Sequence, residues 1–235
     1  MSPKISIVMP TYNEVENVEN LIHRIEETLK KDFEIIVVDD NSPDDTAEIV
    51  RQLQLRMPYL RLIVRRKKLG LATAIQKGIK ASRGSLVGWL DCAGDMPPEK
   101  FAQMKKKLTR YDVVVGSTFI PGGRDQRGDV VSALASRMIN RLCQLVLGSE
   151  ITDYTSGFIL AKKETIDYQV FTGLHGSYFI KLLASARKHG FKIVEIPYTL
   201  GPRQHGESKL SGFIPTIKTG VNYLQALFEA KFLLK

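Results

Sequence analysis

The feature that most constrains this chain is the alternation of short apolar runs with amphipathic segments through its first 115 residues. Ile5–Met9, Glu34–Val38, Leu60–Val64, Leu86–Leu90 and Asp112–Val115 read as buried strands. Between them, Glu14–Leu29 carries Val15, Val18, Leu21, Ile22, Ile25 and Leu29 at steps of three and four, the spacing of a helix that buries one face. Asp45–Leu55, Leu71–Ala81 and a segment opened by Pro97 and Pro98 read as further helices. Strands apolar on both faces, each followed by a helix, predict βαβ units and a mostly parallel sheet, an α/β fold. Ligands in such sheets bind at the carboxyl ends of the strands.

After residue 116 the pattern loosens. Ile120–Asp129 is a polar, glycine-bearing loop with Arg124 and Arg127, and Val130–Leu147 is a long helix. Phe158–Ala161 and Ile193–Ile196 read as strands on either side of a helix at Tyr178–His189. From Gly212 to Lys235 a helical segment carries Phe213, Ile214, Ile217, Val221, Leu224, Leu227, Phe228 and Leu234, with Lys218, Lys231 and Lys235 among them. The expected organisation is one domain over residues 1–211 and a C-terminal amphipathic helix over 212–235, lying at a membrane interface with lysines toward anionic lipid. The apolar stretches read as shorter than the ~20 residues that span a bilayer. No signal peptide is expected, because the N-terminus leads directly into a strand.

A length of 235 residues with 43% hydrophobic content suits one compact domain with a sizeable core. The net charge of +9 fits an anionic lipid, a phosphate-bearing ligand or nucleic acid, and does not choose among them. Cys92 and Cys143 sit in apolar segments without metal-like spacing and read as reduced, buried thiols.

The residues after the strands carry the chemistry. The first strand ends in Pro10-Thr11-Tyr12-Asn13-Glu14, the second in Asp39-Asp40-Asn41-Ser42-Pro43-Asp44-Asp45, the fourth in Asp91-Cys92-Ala93-Gly94-Asp95. Carboxylates gathered on one sheet edge repel one another unless a cation or hydrogen-bond donors offset them. Mg²⁺ or Mn²⁺ with shared phosphate oxygens would do so, as would ribose hydroxyls and base N–H groups. Asp44 and Asp45 read instead as turn and helix caps. No GxGxxG follows the first strand and no GxxxxGK[ST] is present, which disfavours dinucleotide and P-loop chemistry. Arg65, Arg66, Lys67 and Lys68 before Gly70 read as a solvated basic turn or an anion site. The acidic strand ends would repel nucleic acid, and no nucleic-acid motif accompanies the basic charge.

These segments, with Lys68-Leu69-Gly70-Leu71-Ala72-Thr73-Ala74, Pro97-Pro98-Glu99, Val115-Gly116-Ser117, Asp153-Tyr154-Thr155-Ser156-Gly157-Phe158 and Arg203-Gln204-His205-Gly206-Glu207-Ser208-Lys209-Leu210, run in one order over residues 4 to 212. The set resembles family 2 glycosyltransferases of the GT-A fold, a Rossmann-like, mostly parallel sheet flanked by helices, and most closely the dolichyl-phosphate (polyprenyl-phosphate) mannosyltransferases. The resemblance implies that Pro10, Tyr12, Glu14, Asp39 and Asp40 line the nucleoside pocket. It implies that Asp91 begins a metal motif of the form Asp-x-Asp. Here Ala93 stands where the second Asp belongs, and Asp95 stands two residues on, at a position often held by Gln. The expectation is that Asp91 and Asp95 hold Mg²⁺ or Mn²⁺ against the donor diphosphate. Two further departures are Thr118, where relatives often have Arg, and Ser177 with Lys181 at the start of a helix that is usually acidic.

The implied reaction is inverting transfer of a hexose, most simply mannose from GDP-mannose, onto dolichyl or polyprenyl phosphate. A phosphate is already anionic and attacks C1 without a dedicated base, so catalysis rests on positioning and on charge at the leaving group. Asp91, Asp95, Arg203 and Lys209 are the candidate catalytic residues. Arg124, Arg127, Arg137 and Ser208 are candidates for the acceptor phosphate, since Arg suits bidentate phosphate contact. Asp153 orients the acceptor side or caps its own turn. The implied partners are the nucleotide-sugar donor, the lipid phosphate, the cytoplasmic membrane surface to which the protein is peripheral, and a membrane-anchoring subunit or transmembrane helices beyond this chain. The rival readings are a UDP-glucose donor or a saccharide acceptor on the same fold, and a nucleotide-sugar-binding protein impaired at Ala93.

Overall fold

The computed structural model describes residues 3–172, 176–202 and 213–233. Nine strands and seven helices are assigned among them: β1 (Ile5–Thr11), α1 (Val18–Leu29), β2 (Phe33–Asp39), α2 (Thr46–Gln54), β3 (Leu60–Val64), α3 (Leu71–Ala81), β4 (Leu86–Trp89), α4 (Lys100–Lys107), β5 (Val113–Ser117), β6 (Arg124–Asp125), α5 (Val130–Leu147), β7 (Ile159–Lys162), α6 (Tyr178–Lys188), β8 (Ile193–Pro197), β9 (Thr199–Leu200) and α7 (Phe213–Leu233). Seven strands form one sheet in the order β3-β2-β1-β4-β7-β5-β8. All neighbours in it are parallel except β7, which runs antiparallel between β4 and β5.

β1 and β2 are buried at every residue. Successive side chains enter opposite layers: Ile7 and Met9 join α1, α2 and α4 on one face, while Val8 joins the layer that holds α3, α5, α6 and α7. Such strands have no solvent face, which is why their sequence is continuously apolar. At the opposite edge from the strand ends, Ser6 and Glu34 are the polar exceptions. Ser6 Oγ donates to Glu34 at 2.7 Å, and Arg61 Nη1 and the Arg83 N–H donate to the same carboxylate at 2.8 and 2.6 Å. Cys92 and Cys143 are buried, free thiols, and burial pushes the Cys143 thiol up to about 12.

Register decides which residues meet. Thr11 lies opposite Asp39 and Val8 opposite Trp89, so β1, β2 and β4 end on one edge. The strand order reverses between β1 and β4, the switch point where α/β sheets open a crevice. Trp89 also lies opposite Ile159, the first residue of antiparallel β7, so the segment entering β7 arrives at that same edge.

Three differences from the sequence reading have physical causes. The first helix starts at Val18 rather than Glu14, because Glu14 closes a turn: its carbonyl accepts from the Asn17 and Val18 N–H groups and its carboxylate from Asn17 Nδ2 at 2.9 Å. The 120–129 loop contains β6, which pairs in parallel with β9; two-residue strands leave no periodicity to read. The reading that apolar stretches fall well short of a span is corrected by α5, which is long and apolar enough to cross a membrane by length and composition alone. Arg137 and Arg141 interrupt its sequence without lowering that average enough.

α7 divides its apolar residues. Ala226, Leu227 and Ala230 are buried in the layer with α5 and α6, whereas Val221, Leu224, Phe228 and Phe232 are exposed. α3 packs close on the sheet at Gly78, where a Cβ would stand 2.9 Å from Val8 Cγ2, closer still to Cγ1, and 3.1 Å from Val38 Cγ2. Gly78→Ala is therefore expected to destabilise the fold by about 1–3 kcal/mol through overpacking. A lower urea midpoint at unchanged m-value is the measurement that checks it.

Candidate active site

The first two strand ends build one wall of the crevice. Pro10 is the penultimate residue of β1, and Tyr12 follows the strand, half-buried, with Lys68 Nζ 3.7 Å from its ring centroid. Glu14 is buried, with its backbone N–H donating to Thr46 Oγ1 at 3.0 Å. Asp39 is fully buried, and its carboxylate accepts from Thr11 Oγ1 at 3.0 Å and from the Ser42 N–H at 2.8 Å. It thus closes the turn after β2 and binds that turn to β1.

Asp40 reaches the segment between β3 and α3. Its carboxylate accepts from the Leu69 N–H at 3.0 Å and the Gly70 N–H at 2.8 Å, and pairs with Arg65 at 2.5 Å. Arg65 is itself buried and donates to the Gly70 carbonyl at 2.9 Å. Both ions are out of water, so each depends on the other and on these hydrogen bonds. The basic run is therefore not simply a solvated turn: Arg65 fixes the entry to α3, Lys68 covers Tyr12, and Arg66 and Lys67 are exposed. Asp44 caps as its sequence suggests. Burial pushes its carboxyl up, but hydrogen bonds from Thr46 and Val15 outweigh that and hold it below the usual range.

The second wall follows β4. Gly94 at φ +75° turns the chain between Asp91 and Asp95, and Ala93 between them is buried. The Asp95 carbonyl accepts from the Gly201 N–H at 2.9 Å, tying this turn to the exit of β9. The arginine loop is tied to the same strand: the Arg124 N–H donates to the Tyr198 carbonyl and the Gln126 N–H to Leu200. Arg127 grips Asp125 with both arms, at 3.0 and 2.7 Å; this grip is the main reason its pKa rises, with the nearby Asp95 charge acting in the same direction. Arg124 and Arg137 are exposed.

Asp153 lies beneath these groups and is 1% exposed. One carboxylate oxygen accepts from the N–H of Thr118 at 3.1 Å and the other from the N–H of Thr155 at 3.2 Å, while Glu195 accepts the Asp153 N–H at 2.9 Å. Thr118, which replaces the frequent Arg, also points its hydroxyl at Asp153. Burial pushes the Asp153 carboxyl up to about 6, against the pull of the Thr118 and Thr155 N–H groups.

The structure thus brings Asp91, Asp95, Arg127, Asp153, Tyr198 and Tyr223 into one neighbourhood. Burial raises the Tyr198 hydroxyl, and the Asp153 and Asp95 charges add to it; burial and the Asp91 and Asp153 charges raise that of Tyr223. Neither tyrosine is legible as a site residue in the sequence, since one lies between two strands and the other sits in an amphipathic helix. Arg203, Ser208 and Lys209 lie outside the described residues. Among the described residues no group of three or more His, Cys, Asp or Glu side chains is placed to hold a metal.

A model of glycosyl transferase family 2 matches residues 6–168. The chain belongs to glycosyl transferase family 2. A dolichol-phosphate mannosyltransferase of Pyrococcus furiosus is 33% identical over 231 residues, which cover 96% of this chain and 63% of that protein. The chain therefore spans less than two thirds of that relative's length. A polyprenol monophosphomannose synthase of Mycolicibacterium smegmatis is 30% identical, covering 88% of this chain and 80% of the relative. The fold is that of glucosyl-3-phosphoglycerate synthase from Mycobacterium tuberculosis, solved with Mn²⁺, UDP and glucosyl-3-phosphoglycerate: TM-score 0.69 at 21% identity, over 98% of this chain and 80% of that one. The family 2 sheet, with its GT-A order and antiparallel β7, is thus the expected α/β fold.

The raised carboxyl of Asp153 has a consequence for stability. Its folded pKa of about 6 exceeds the ordinary 3.8, so the stabilisation it contributes is complete below about pH 4 and is lost as pH rises through 6. Asp153→Asn does not titrate. The stability advantage of the wild type over this variant should therefore shrink by up to about 3 kcal/mol between pH 4 and pH 7. Urea denaturation of both proteins across that range measures it.

Proposed function

We propose that this protein transfers a hexose, with inversion, from a nucleotide sugar to a polyprenyl or dolichyl phosphate at a membrane surface. One observation carries the reading. The arginine loop beside Asp95 runs directly into α5, whose outer face presents Val130, Val131, Leu134 and Met138 to solvent together with Arg137. Cationic side chains next to an exposed apolar helix match an acceptor with a phosphate head and a long hydrocarbon tail. The exposed residues Val221, Leu224, Phe228 and Phe232 of α7 extend the apolar surface available to lipid. The names of the prenyl-phosphate mannosyltransferase relatives support mannose as the sugar, and GDP-mannose is the donor proposed with it.

In this reading Pro10, Tyr12, Glu14, Asp39 and Asp40 form the nucleoside wall. Asp39 and Asp40 serve it chiefly by holding the 40–42 and 68–70 turns, because their oxygens already accept bonds from those turns. Asp91 and Asp95, in the turn after β4, are the carboxylates that would hold Mg²⁺ or Mn²⁺ arriving with the substrate. Such an ion, when bound, supplies positive charge to the departing nucleoside diphosphate. Arg203 and Lys209 add to that charge. Arg124, Arg137 and Ser208 hold the acceptor phosphate. Arg127 joins them by exchanging its grip on Asp125 for the phosphate or by orienting the loop through that grip. The acceptor oxyanion attacks C1 on the face opposite the leaving diphosphate, so the C1–O bond to the donor breaks as the new one forms, and a GDP-α-mannose donor yields a β-linked product.

The test is a donor screen of the purified protein with GDP-mannose and UDP-glucose, a short polyprenyl phosphate, and Mn²⁺ present or absent. The expected result is Mn²⁺-dependent formation of β-mannosyl polyprenyl phosphate. Asp95→Ala should weaken metal-dependent donor binding by at least about tenfold, the lower end of what outer partners of a metal site contribute. Donor binding indifferent to both Mn²⁺ and Asp95 would refute the metal assignment. Turnover that appears only in Ala93→Asp would favour a binding protein without activity.

A further inference from the structure

α7 does more than present an apolar face to solvent. Tyr223 is half-buried on its inner side, on the same helical face as Leu227 and Ala230. A Cβ added to Gly176, just before α6, would meet the Tyr223 hydroxyl oxygen at 2.7 Å and the ring Cζ at 3.9 Å. The hydroxyl therefore rests over a glycine that leaves room for it. It also lies within the electrostatic reach of Asp91, Asp153 and Arg127. Those three residues follow β4, precede β7 and precede α5, so the charges felt at this side chain of α7 come from three separate segments of the site. No hydrogen bond to this hydroxyl is formed among the described residues.

The helix is held where it can do this. Lys181 Nζ, buried on α6, donates to Glu229 at 2.8 Å and to Thr172. This is the lysine that stands near the start of a helix usually acidic in the enzymes the chain resembles, and its partner lies on α7. Ala226, Leu227 and Ala230 pack below it.

We propose that Tyr223 is a substrate-binding residue of this site, its hydroxyl hydrogen-bonding a hydroxyl of the transferred sugar. The inference rests on the reading that the site takes a nucleotide sugar. The groups around the phenol leave it to a sugar hydroxyl: Arg127 already grips Asp125, and phosphate charge would be met by the ion that Asp91 and Asp95 hold. A phenol both donates and accepts, as sugar hydroxyls do, and its ring offers an apolar face to sugar C–H groups.

The experiment compares calorimetric binding of GDP-mannose with GDP, and of UDP-glucose with UDP, in the presence of Mn²⁺. The proteins are the wild type, Tyr223→Phe, Gly176→Ala and the double variant, each checked for an unchanged melting curve. Tyr223→Phe should weaken the sugar nucleotide about three- to tenfold, the scale of one hydrogen bond, and leave the matching diphosphate within about twofold. Gly176→Ala, whose new methyl displaces the hydroxyl, should produce the same selective loss by an independent route. In the double variant there is no hydroxyl left to displace, so the losses should not add. Equal weakening of sugar nucleotide and diphosphate, additive losses, or an unaffected Tyr223→Phe would overturn the assignment while leaving the functional reading standing. A wild type that binds neither sugar nucleotide would overturn that reading, and this inference with it.

Discussion

β1 is covered on both faces and paired on both edges, so it can carry a functional polar group only where it ends. That constraint organises the molecule. Its parallel register with β2 and β4 sends three chain segments out at the same edge, and the reversal of strand order on either side of it opens the crevice between them. β7 runs the other way, so its entry rather than its exit comes to that edge and brings Asp153 with it. Acidic groups from four segments are thereby crowded together, and how each is satisfied decides what it can do.

The carboxylates differ sharply in this respect. Asp39 and Asp40 accept several backbone and side-chain bonds and act as braces for turns. Asp153 is a brace of another kind, buried deeply enough that its charge is costly, and it joins Thr118 to Thr155 beneath the site. Asp91 and Asp95 occupy the turn around Gly94, where their charges act on Tyr178 and Tyr223 and on Arg127 and Tyr198 respectively. A cluster this acidic beside an arginine loop favours ligands that bring both phosphate and cation. The loop itself is fixed through β6, β9 and the Asp95 carbonyl, so the acidic turn after β4 and the arginine loop share one backbone network.

Much of this was legible in the chain. The strands and helices of the first 115 residues follow from periodicity to within a few residues, and the segments at the strand ends could be named before their geometry was known. The start of α1 was not legible, because Glu14 satisfies its bonds in a turn that looks helical in composition. β6 and β9 were not legible because two-residue strands have no period. The basic run before α3 read equally well as solvent-facing; burial of Arg65 depends on Asp40, 25 residues earlier, and local pattern carries no such information.

The sequence by itself determined the layered parallel sheet and the set of polar residues available at its edge, because local apolar periodicity dictates which segments are buried and hence where polarity can emerge. Only the tertiary structure decided how those residues are used. Pairing between distant segments made Asp40 a partner of Arg65, turned Thr118 toward Asp153, and brought Tyr223 of the last helix over Gly176. Each of these is a contact across long loops, set by packing and by the need to satisfy buried charge, and such contacts leave no periodic trace in the chain.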